Sequence, residues 1–148
     1  MKPRQCYKIV PSSYLVLIKK NKTLLAKRCN TGYEDGNYGL VAGHGEENET
    51  FTDSLIREVF EESGIKLHTK DVRVAHIMHR KAKLDERVDV FFVAQGWSGK
   101  LKIMEPDKCD HMDWFELDNL PKNTIHYIKT ALEHIQNNIF YSEYGWKN

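Results

Sequence analysis

One stretch of 23 residues, from Gly43 to Ile65, constrains this chain more than any other feature. It reads GHGEENETFTDSLIREVFEESGI. It fits the pattern G-x5-E-x7-R-E-U-x-E-E-x-G-U at every fixed position, where U is a bulky aliphatic residue. Agreement at nine positions is far more specific than a short motif such as GxGxxG, so the stretch predicts both a local fold and a chemistry.

The order of residues within this stretch predicts a helix over residues 50–63. Thr50 is a good N-cap and Gly64 suits the C-terminal stop. One face of that helix is apolar, with Phe51, Leu55 and Val59. Another face is acidic, because residues at i, i+3 and i+4 lie together: Glu58, Glu61 and Glu62. Such carboxylates repel one another unless divalent cations lie among them, and their hard oxygens suit magnesium or manganese.

A solvated acidic helix face is the alternative interpretation of the same residues. Seven acids and a single base, Arg57, lie between Glu46 and Glu62, and a run of charge often means no more than contact with water. The spacing, the apolar opposite face and the flanking glycines all agree with a metal site, which is the interpretation that we favour.

The motif resembles the Nudix box, the signature of the Nudix hydrolase superfamily. The resemblance implies metal-assisted hydrolysis of a diphosphate linked to another moiety, commonly a nucleoside. It implies catalytic roles for Glu58, Glu61 and Arg57, with Arg57 orienting the carboxylates and Glu58 matching one common choice of general base. The implied metal ligands are Glu58, Glu61, Glu62 and a main-chain carbonyl at Ala42 or Gly43. Family members often have glycine where this chain has Ala42, but a carbonyl ligand needs no particular side chain.

Some family members take the general base from a loop that follows the motif helix. In this chain the acidic segment before Trp114 offers Glu105 and Asp107 as a further ligand or base. A solvated loop is the equally weighted alternative, because acidic loops are common.

Candidate substrate contacts lie outside the motif helix. Arginine matches phosphate oxygens bidentately, which makes Arg28, Arg80 and Arg87 candidates, and His44 lies within the motif itself. Tyr33 and Tyr38, on a glycine-containing loop, are candidates to stack on a nucleobase, together with the aromatic tail over residues 141–146. For each of these residues taken singly, a surface or core position is the commoner role.

Length and composition indicate one domain over residues 1–148. The formal net charge of +1 gives no reason to expect a membrane or a stable nucleic-acid partner. Three cysteines without CxxC spacing fit a reducing, cytoplasmic setting. The tail is expected to fold back on the body or to pack on a second subunit, so a homodimer is possible.

Apolar periodicity indicates an α/β protein. Strands are predicted over residues 14–18, 23–28, 39–42, 71–80, 88–97 and 114–117, and a terminal amphipathic helix over residues 124–139. Val72, Val74, His76 and Met78 alternate along the fourth of these strands and are predicted to share one side. A mixed sheet packed between helices follows, which resembles the Nudix α/β/α sandwich.

The resemblance implies a nucleotide substrate and a Mg²⁺ cofactor, for which Mn²⁺ is a possible substitute. The leading hypothesis is cleavage of a nucleoside triphosphate to a monophosphate and pyrophosphate. The alternatives are hydrolysis of nucleoside diphosphates, dinucleotide polyphosphates or nucleotide sugars, and a Nudix module that senses a nucleotide without cleaving it.

Overall fold

Eight β-strands form one mixed sheet with an α-helix on each face. The structure, a computed structural model, describes residues 1–147. The strands are β1 Val10–Lys19, β2 Lys22–Arg28, β3 Tyr38–Gly39, β4 Ala42–His44, β5 Val72–Lys81, β6 Glu86–Ala94, β7 Cys109–Glu116 and β8 Tyr141–Tyr144, and the helices are α1 Phe51–Ser63 and α2 His126–Gln136. This architecture confirms the predicted α/β/α sandwich. No helix within residues 1–147 has both the length and the apolar character needed to cross a membrane.

The sheet is mixed because two of its strand pairs are parallel. The strand order is β3-β2-β1-β6-β5-β8, with β4 beside β1 and β7 beside β2. Strand β1 runs parallel to β6, and β8 runs parallel to β5, whereas the other pairs are antiparallel. Residues 10–17 of β1 pair with β6 and residues 12–14 also pair with β4, so the first half of β1 lies between these two strands.

Side chains on β1 alternate between two hydrophobic clusters, because successive residues of a strand point to opposite faces. Tyr14 and Val16 pack with α2, whereas Leu15 and Leu17 pack with α1. Both faces of the sheet are therefore covered by a helix, as a sheet with apolar residues on both sides requires.

Helix α1 begins and ends as its sequence predicts. The Thr50 hydroxyl accepts a hydrogen bond from the amide of Asp53 at 3.0 Å, and Gly64 ends the helix at φ 72° in the left-handed region. At the neighbouring strand β4, a Cβ atom on Gly43 would lie 2.0 Å from Cγ of Glu58. The first glycine of the motif therefore lets the backbone of β4 approach the acidic face of α1 closely.

Three local predictions were wrong, whereas the tail folds back on the body, which is one of the two alternatives expected for it. The strand predicted over residues 39–42 is divided into β3 and β4. A bulge between Val74 and His76 shifts the register of β5, so that Val72 packs on the α1 side and Met78 on the α2 side. The last helix ends at Gln136 and leaves Ile139 outside it, and the tail returns to the sheet as β8.

Candidate active site

Arg57 lies at the centre of the acidic motif and binds three carboxylates. Its guanidinium donates to Glu49 at 2.7 and 2.9 Å, to Glu58 at 2.8 Å and to Glu61 at 3.3 Å. The hydrogen bonds to Glu49 and Glu58 raise the pKa of Arg57. The hydrogen bond from Arg57 in turn lowers the pKa of Glu49 to about 2. One planar fork therefore fixes the positions of neighbouring acids that would otherwise repel one another.

Within the described residues 1–147, no cationic side chain donates a hydrogen bond to Glu62, although Glu62 lies beside Glu58. Burial is the main cause that raises the pKa of Glu62 to about 8, and the nearby charge of Glu58 adds to the effect. The carboxylate accepts a single weak hydrogen bond, from the amide of Ala42 at 3.4 Å. Burial likewise raises the pKa of Glu58, in spite of its contact with Arg57. In the metal-free protein both carboxylates are therefore held in surroundings that disfavour their charge.

This arrangement fits a hard divalent cation. The partly buried carboxylates of Glu58 and Glu62 lie beside the main chain of Ala42 and Gly43, so the available donors are all oxygens. Glu61 is more exposed and faces Arg57. Within residues 1–147 no group of three or more His, Cys, Asp or Glu side chains has the geometry to hold a metal ion without rearrangement. The structure therefore places the Glu58 carboxylate beside Gly43 and the Glu62 carboxylate beside the amide of Ala42, at the point where β4 approaches α1.

Of the two loop acids, Glu105 lies nearer to this centre. A small cavity of about 130 Å³ is lined by Glu62 and Glu105 and by three cationic side chains, Lys27, Arg28 and Lys108. Asp107 does not line that cavity; its main-chain carbonyl accepts a hydrogen bond from Asn30 at 3.1 Å. Glu105 thus remains a candidate ligand or base, whereas the structure does not bring Asp107 to the carboxylates.

A larger cavity of about 240 Å³ lies between β1, β4 and α2. Four of the six predicted substrate contacts line it: Arg28, Tyr33, His44 and Arg87. Arg28 also lines the small cavity, so it stands between the two. These four residues are far apart in the sequence, and the fold brings them together at the larger cavity.

Arg87 and His44 form one hydrogen-bonded unit at this cavity. Asp85 accepts from two guanidinium nitrogens of Arg87, at 2.9 and 3.0 Å, and Arg87 contacts Nε2 of His44 at 2.8 Å. Burial and then the charge of Arg87 lower the pKa of His44. His44 is therefore neutral near pH 7, with Nε2 accepting from Arg87 and the remaining ring proton on Nδ1.

Two predicted substrate contacts lie elsewhere. Arg80 is 3% exposed and pairs with the buried Asp89, while its guanidinium covers the ring of Tyr127 at 3.8 Å. Tyr38 contacts His111 at 2.7 Å and lies outside both cavities. Arg80 lies behind the cavity wall because β5 points it into the core, so the expectation of a direct phosphate contact does not agree with the structure.

The sequence interpretation missed the two tyrosines that form the wall of the larger cavity. Tyr14 and Tyr127 are both buried, and their hydroxyls lie 3.2 Å apart across 113 residues of sequence. A signal for them existed, since each is a polar-tipped aromatic residue at a position where the strand or helix pattern calls for a core residue.

Known proteins are similar to this chain in sequence and in fold. The profile of the NUDIX domain matches residues 10–134. An ADP-ribose pyrophosphatase from Methanocaldococcus jannaschii is 26% identical over 133 residues, covering 90% of this chain and 72% of the relative. An NAD-capped RNA hydrolase NudC from Escherichia coli is 27% identical over 115 residues, covering 78% of this chain but only 42% of the relative.

Among solved structures, a MutT NUDIX hydrolase from Burkholderia pseudomallei superposes with a TM-score of 0.78 at 27% identity, covering 86% of this chain and 98% of the other. The family match spans both the motif helix and the larger cavity. It confirms the predicted resemblance and the hydrolase class, and the chain belongs to the NUDIX domain family.

Proposed function

We propose that this chain, as one domain over residues 1–148, is a divalent-metal-dependent hydrolase that cleaves nucleoside triphosphates to monophosphates and pyrophosphate. One observation carries the proposal. Glu58 and Glu62 are carboxylates in a partly buried site beside strand β4, with Glu58 next to Gly43 and Glu62 next to the amide of Ala42. Within residues 1–147 no cationic side chain donates a hydrogen bond to Glu62. Such a pair is stabilised in its charged form by a bound cation, for which Mg²⁺ is the proposed occupant and Mn²⁺ a substitute.

Each part of the site has a distinct task in this reaction. A divalent cation, when bound, neutralises phosphate oxygens and lowers the pKa of a water molecule that attacks phosphorus. Glu58 is positioned by Arg57 at 2.8 Å and is the proposed general base. Glu61, the third partner of Arg57, is free at its exposed end to turn towards a cation. Glu105 is proposed as a further ligand or base.

The two cavities support a triphosphate substrate. The larger one is lined by three tyrosines, Tyr14, Tyr33 and Tyr127, of which Tyr127 is the proposed aromatic surface for a nucleoside. His44 and Arg87, which also line it, are the proposed phosphate contacts. The small one, beside Glu62, is lined by Lys27, Arg28 and Lys108 and suits a charged pyrophosphate leaving group better than a second nucleoside. Arg28 borders both cavities and is placed to contact the phosphates between them.

A second candidate is cleavage of a nucleoside diphosphate linked to a sugar. It is favoured by the relative named ADP-ribose pyrophosphatase, of which this chain covers 72%. In that case the small cavity would receive a sugar phosphate. A sensing module without catalysis is less well supported, because every carboxylate of the motif is present.

A nucleotide panel tests these alternatives. Purified protein with Mg²⁺ is incubated with nucleoside triphosphates, nucleoside diphosphates, dinucleotide polyphosphates, ADP-ribose and nucleotide sugars, and the products are separated by chromatography. Release of pyrophosphate and monophosphate from triphosphates is the expected result. Preferential cleavage of ADP-ribose would replace the first candidate by the second. Binding of a nucleotide without cleavage of any compound in the panel would favour a sensor. Glu58→Gln protein, prepared in parallel, controls for contaminating phosphatases.

The setting of the enzyme is also a proposal. We expect a cytoplasmic protein that acts on free nucleotides, with no membrane partner and no stable nucleic-acid partner. A homodimer is possible, and sedimentation of the purified protein tests it directly.

A further inference from the structure

The C-terminal strand β8 lies beyond the region that the NUDIX domain profile matches, which ends at residue 134. It covers Tyr141–Tyr144 and pairs in parallel with β5, so that Tyr144 lies opposite Arg80. Arg80 in turn covers the ring of Tyr127, a wall residue of the larger cavity. The tail therefore reaches the cavity wall from behind.

Tyr144 contacts that wall directly. Its ring packs edge-on against Tyr127, with centroids 6.2 Å apart at 61°. Its hydroxyl lies 2.5 Å from Nδ1 of His126, the residue that precedes Tyr127 in α2. Tyr127 is held on its remaining sides by the guanidinium of Arg80 at 3.8 Å and by the hydroxyl of Tyr14 at 3.2 Å. Tyr144 thus completes the set of contacts that fixes the orientation of the Tyr127 ring.

Contacts at both ends hold the strand in this position. His76, which is fully buried, lies 2.8 Å from the hydroxyl of Ser142 and 2.7 Å from the carbonyl of Ile139. After the strand, Gly145 adopts φ 81°, and a Cβ atom there would lie 2.4 Å from the carbonyl oxygen of Lys81. The indole of Trp146 donates to the carbonyl of His79 at 3.0 Å. The tail is therefore fitted to β5 along its length.

We propose that Tyr144 is a positioning residue for the nucleobase, because it holds Tyr127 in the orientation that the base contacts. The proposal rests on the proposed function in assigning the larger cavity to the nucleoside. It places a determinant of nucleotide affinity in a segment outside the matched NUDIX domain. The contacts of Tyr144 within residues 1–147 are with His126, Tyr127 and the backbone of β5, and none is with the proposed phosphate contacts Arg28, His44 and Arg87. The affinity for phosphate is therefore expected to be independent of Tyr144.

Binding measurements without turnover test the proposal on the full chain. Isothermal titration calorimetry in metal-free buffer gives Kd values for AMP, GMP, CMP, UMP and inorganic pyrophosphate. Tyr144→Ala is expected to weaken the tightest-binding nucleoside monophosphate about fivefold to tenfold, the effect of losing one aromatic contact. Pyrophosphate affinity is expected to change by less than about twofold on the same scale. Tyr144→Phe, which keeps the ring, is expected to restore binding to near the wild-type value.

Two further variants separate positioning from stability. Tyr141→Ala alters the same strand, but successive residues of a strand point to opposite faces, so Tyr141, three positions before Tyr144, is exposed on the other face and serves as the matched control. Tyr144→Leu keeps most of the volume without the aromatic ring, and it replaces Tyr144→Ala if that variant does not fold. With a hydrolysed nucleotide, the KM of Tyr144→Ala is expected to rise while kcat stays near wild type.

Equal weakening of nucleotide and pyrophosphate, or unchanged nucleotide affinity in folded Tyr144→Ala, would overturn the proposal. If the wild-type protein binds nucleoside monophosphates but hydrolyses no nucleotide, the proposed function fails, and the Kd comparison still decides the role of Tyr144. If the wild-type protein binds no nucleoside monophosphate, the assignment of the larger cavity to the nucleoside and the role of Tyr144 are overturned, whereas the nucleotide panel still decides the proposed function.

Discussion

Replacing Glu62 by glutamine is expected to stabilise the metal-free protein while abolishing its response to metal. The folded state raises the pKa of Glu62 from 4.5 to about 8, chiefly through burial. The folded protein therefore holds this proton more tightly than the unfolded chain does. Wild-type stability is accordingly lost as the pH rises from about 4.5 to about 8, and glutamine, which has no charge to form, removes that loss.

The size of the effect follows from the shift in pKa. A displacement from 4.5 to about 8 corresponds to roughly 5 kcal/mol above pH 8. The carboxylate keeps some contact with solvent, which reduces the penalty, so we take about 2 kcal/mol as the expected gain in Glu62→Gln. For a domain of this size that gain raises Tm by roughly 5–8 °C at pH 8.5. At pH 4 the two proteins are expected to differ little.

Thermal unfolding followed by circular dichroism, from pH 4 to pH 9 in excess chelator, measures this difference. Added Mg²⁺ is expected to raise the Tm of the wild-type protein at pH 8.5 and to leave Glu62→Gln nearly unchanged. Glu47→Gln is the matched control, because Glu47 is an exposed acid on the loop before α1 and is not among the proposed ligands. A difference between wild type and Glu62→Gln that stays constant from pH 5 to pH 8.5 would refute the reasoning, since it would show that Glu62 is not a destabilised charge.

Excess chelator is expected to stop hydrolysis and Mg²⁺ or Mn²⁺ to restore it, measured as product release; undiminished turnover in chelator would contradict a metal role. Glu58→Gln is expected to lower kcat by about 100-fold or more without loss of fold, and full activity would show that the wrong carboxylate has been chosen. Arg57→Lys is expected to lower kcat about tenfold or more, because an ammonium cannot hold Glu49, Glu58 and Glu61 together as a planar fork does; steady-state kinetics check this, and a wild-type kcat would refute it. Deleting residues 141–148 is expected to raise KM more than it alters metal dependence, with sedimentation showing whether the tail also joins two subunits; an unchanged KM and association state would leave the tail only a packing segment.

The parts of the fold that were predictable are those fixed by neighbours in sequence. The cap at Thr50, the stop at Gly64 and the apolar face of α1 are local signals, and they located the motif helix to within one residue. The amphipathic pattern of α2 was equally local, although the helix ends at Gln136, three residues short of Ile139. Apolar runs also indicated β1, β2, β5 and β6, because strands buried on both faces are rich in such residues.

Features set by distant parts of the chain were beyond local reasoning. The bulge in β5 changes which side chains share a face, and the residue types between Val74 and His76 do not predict a bulge there. The cavity wall needs Tyr14 and Tyr127, whose hydroxyls meet across 113 residues. The partnership of Glu62 with the main chain of Ala42 likewise depends on how closely β4 approaches α1. The motif thus predicted the chemistry, whereas the shape of the substrate cavity required the tertiary structure.

Arg57 and Arg80 show why residue type alone does not assign a role at such a site. The side chain of Arg57 is 27% exposed and pairs with Glu49, Glu58 and Glu61. It is therefore expected to keep contact with these carboxylates when a cation or substrate binds. The side chain of Arg80 is buried and paired with Asp89, and removing one partner of a buried pair costs about 3–5 kcal/mol. A substitution of Arg80 is expected to lower activity because it removes the contact of Arg80 with Tyr127, a residue of the cavity wall. This loss needs no contact between Arg80 and phosphate. Measured Tm and nucleotide Kd therefore have to be read together before any arginine here is assigned to substrate binding.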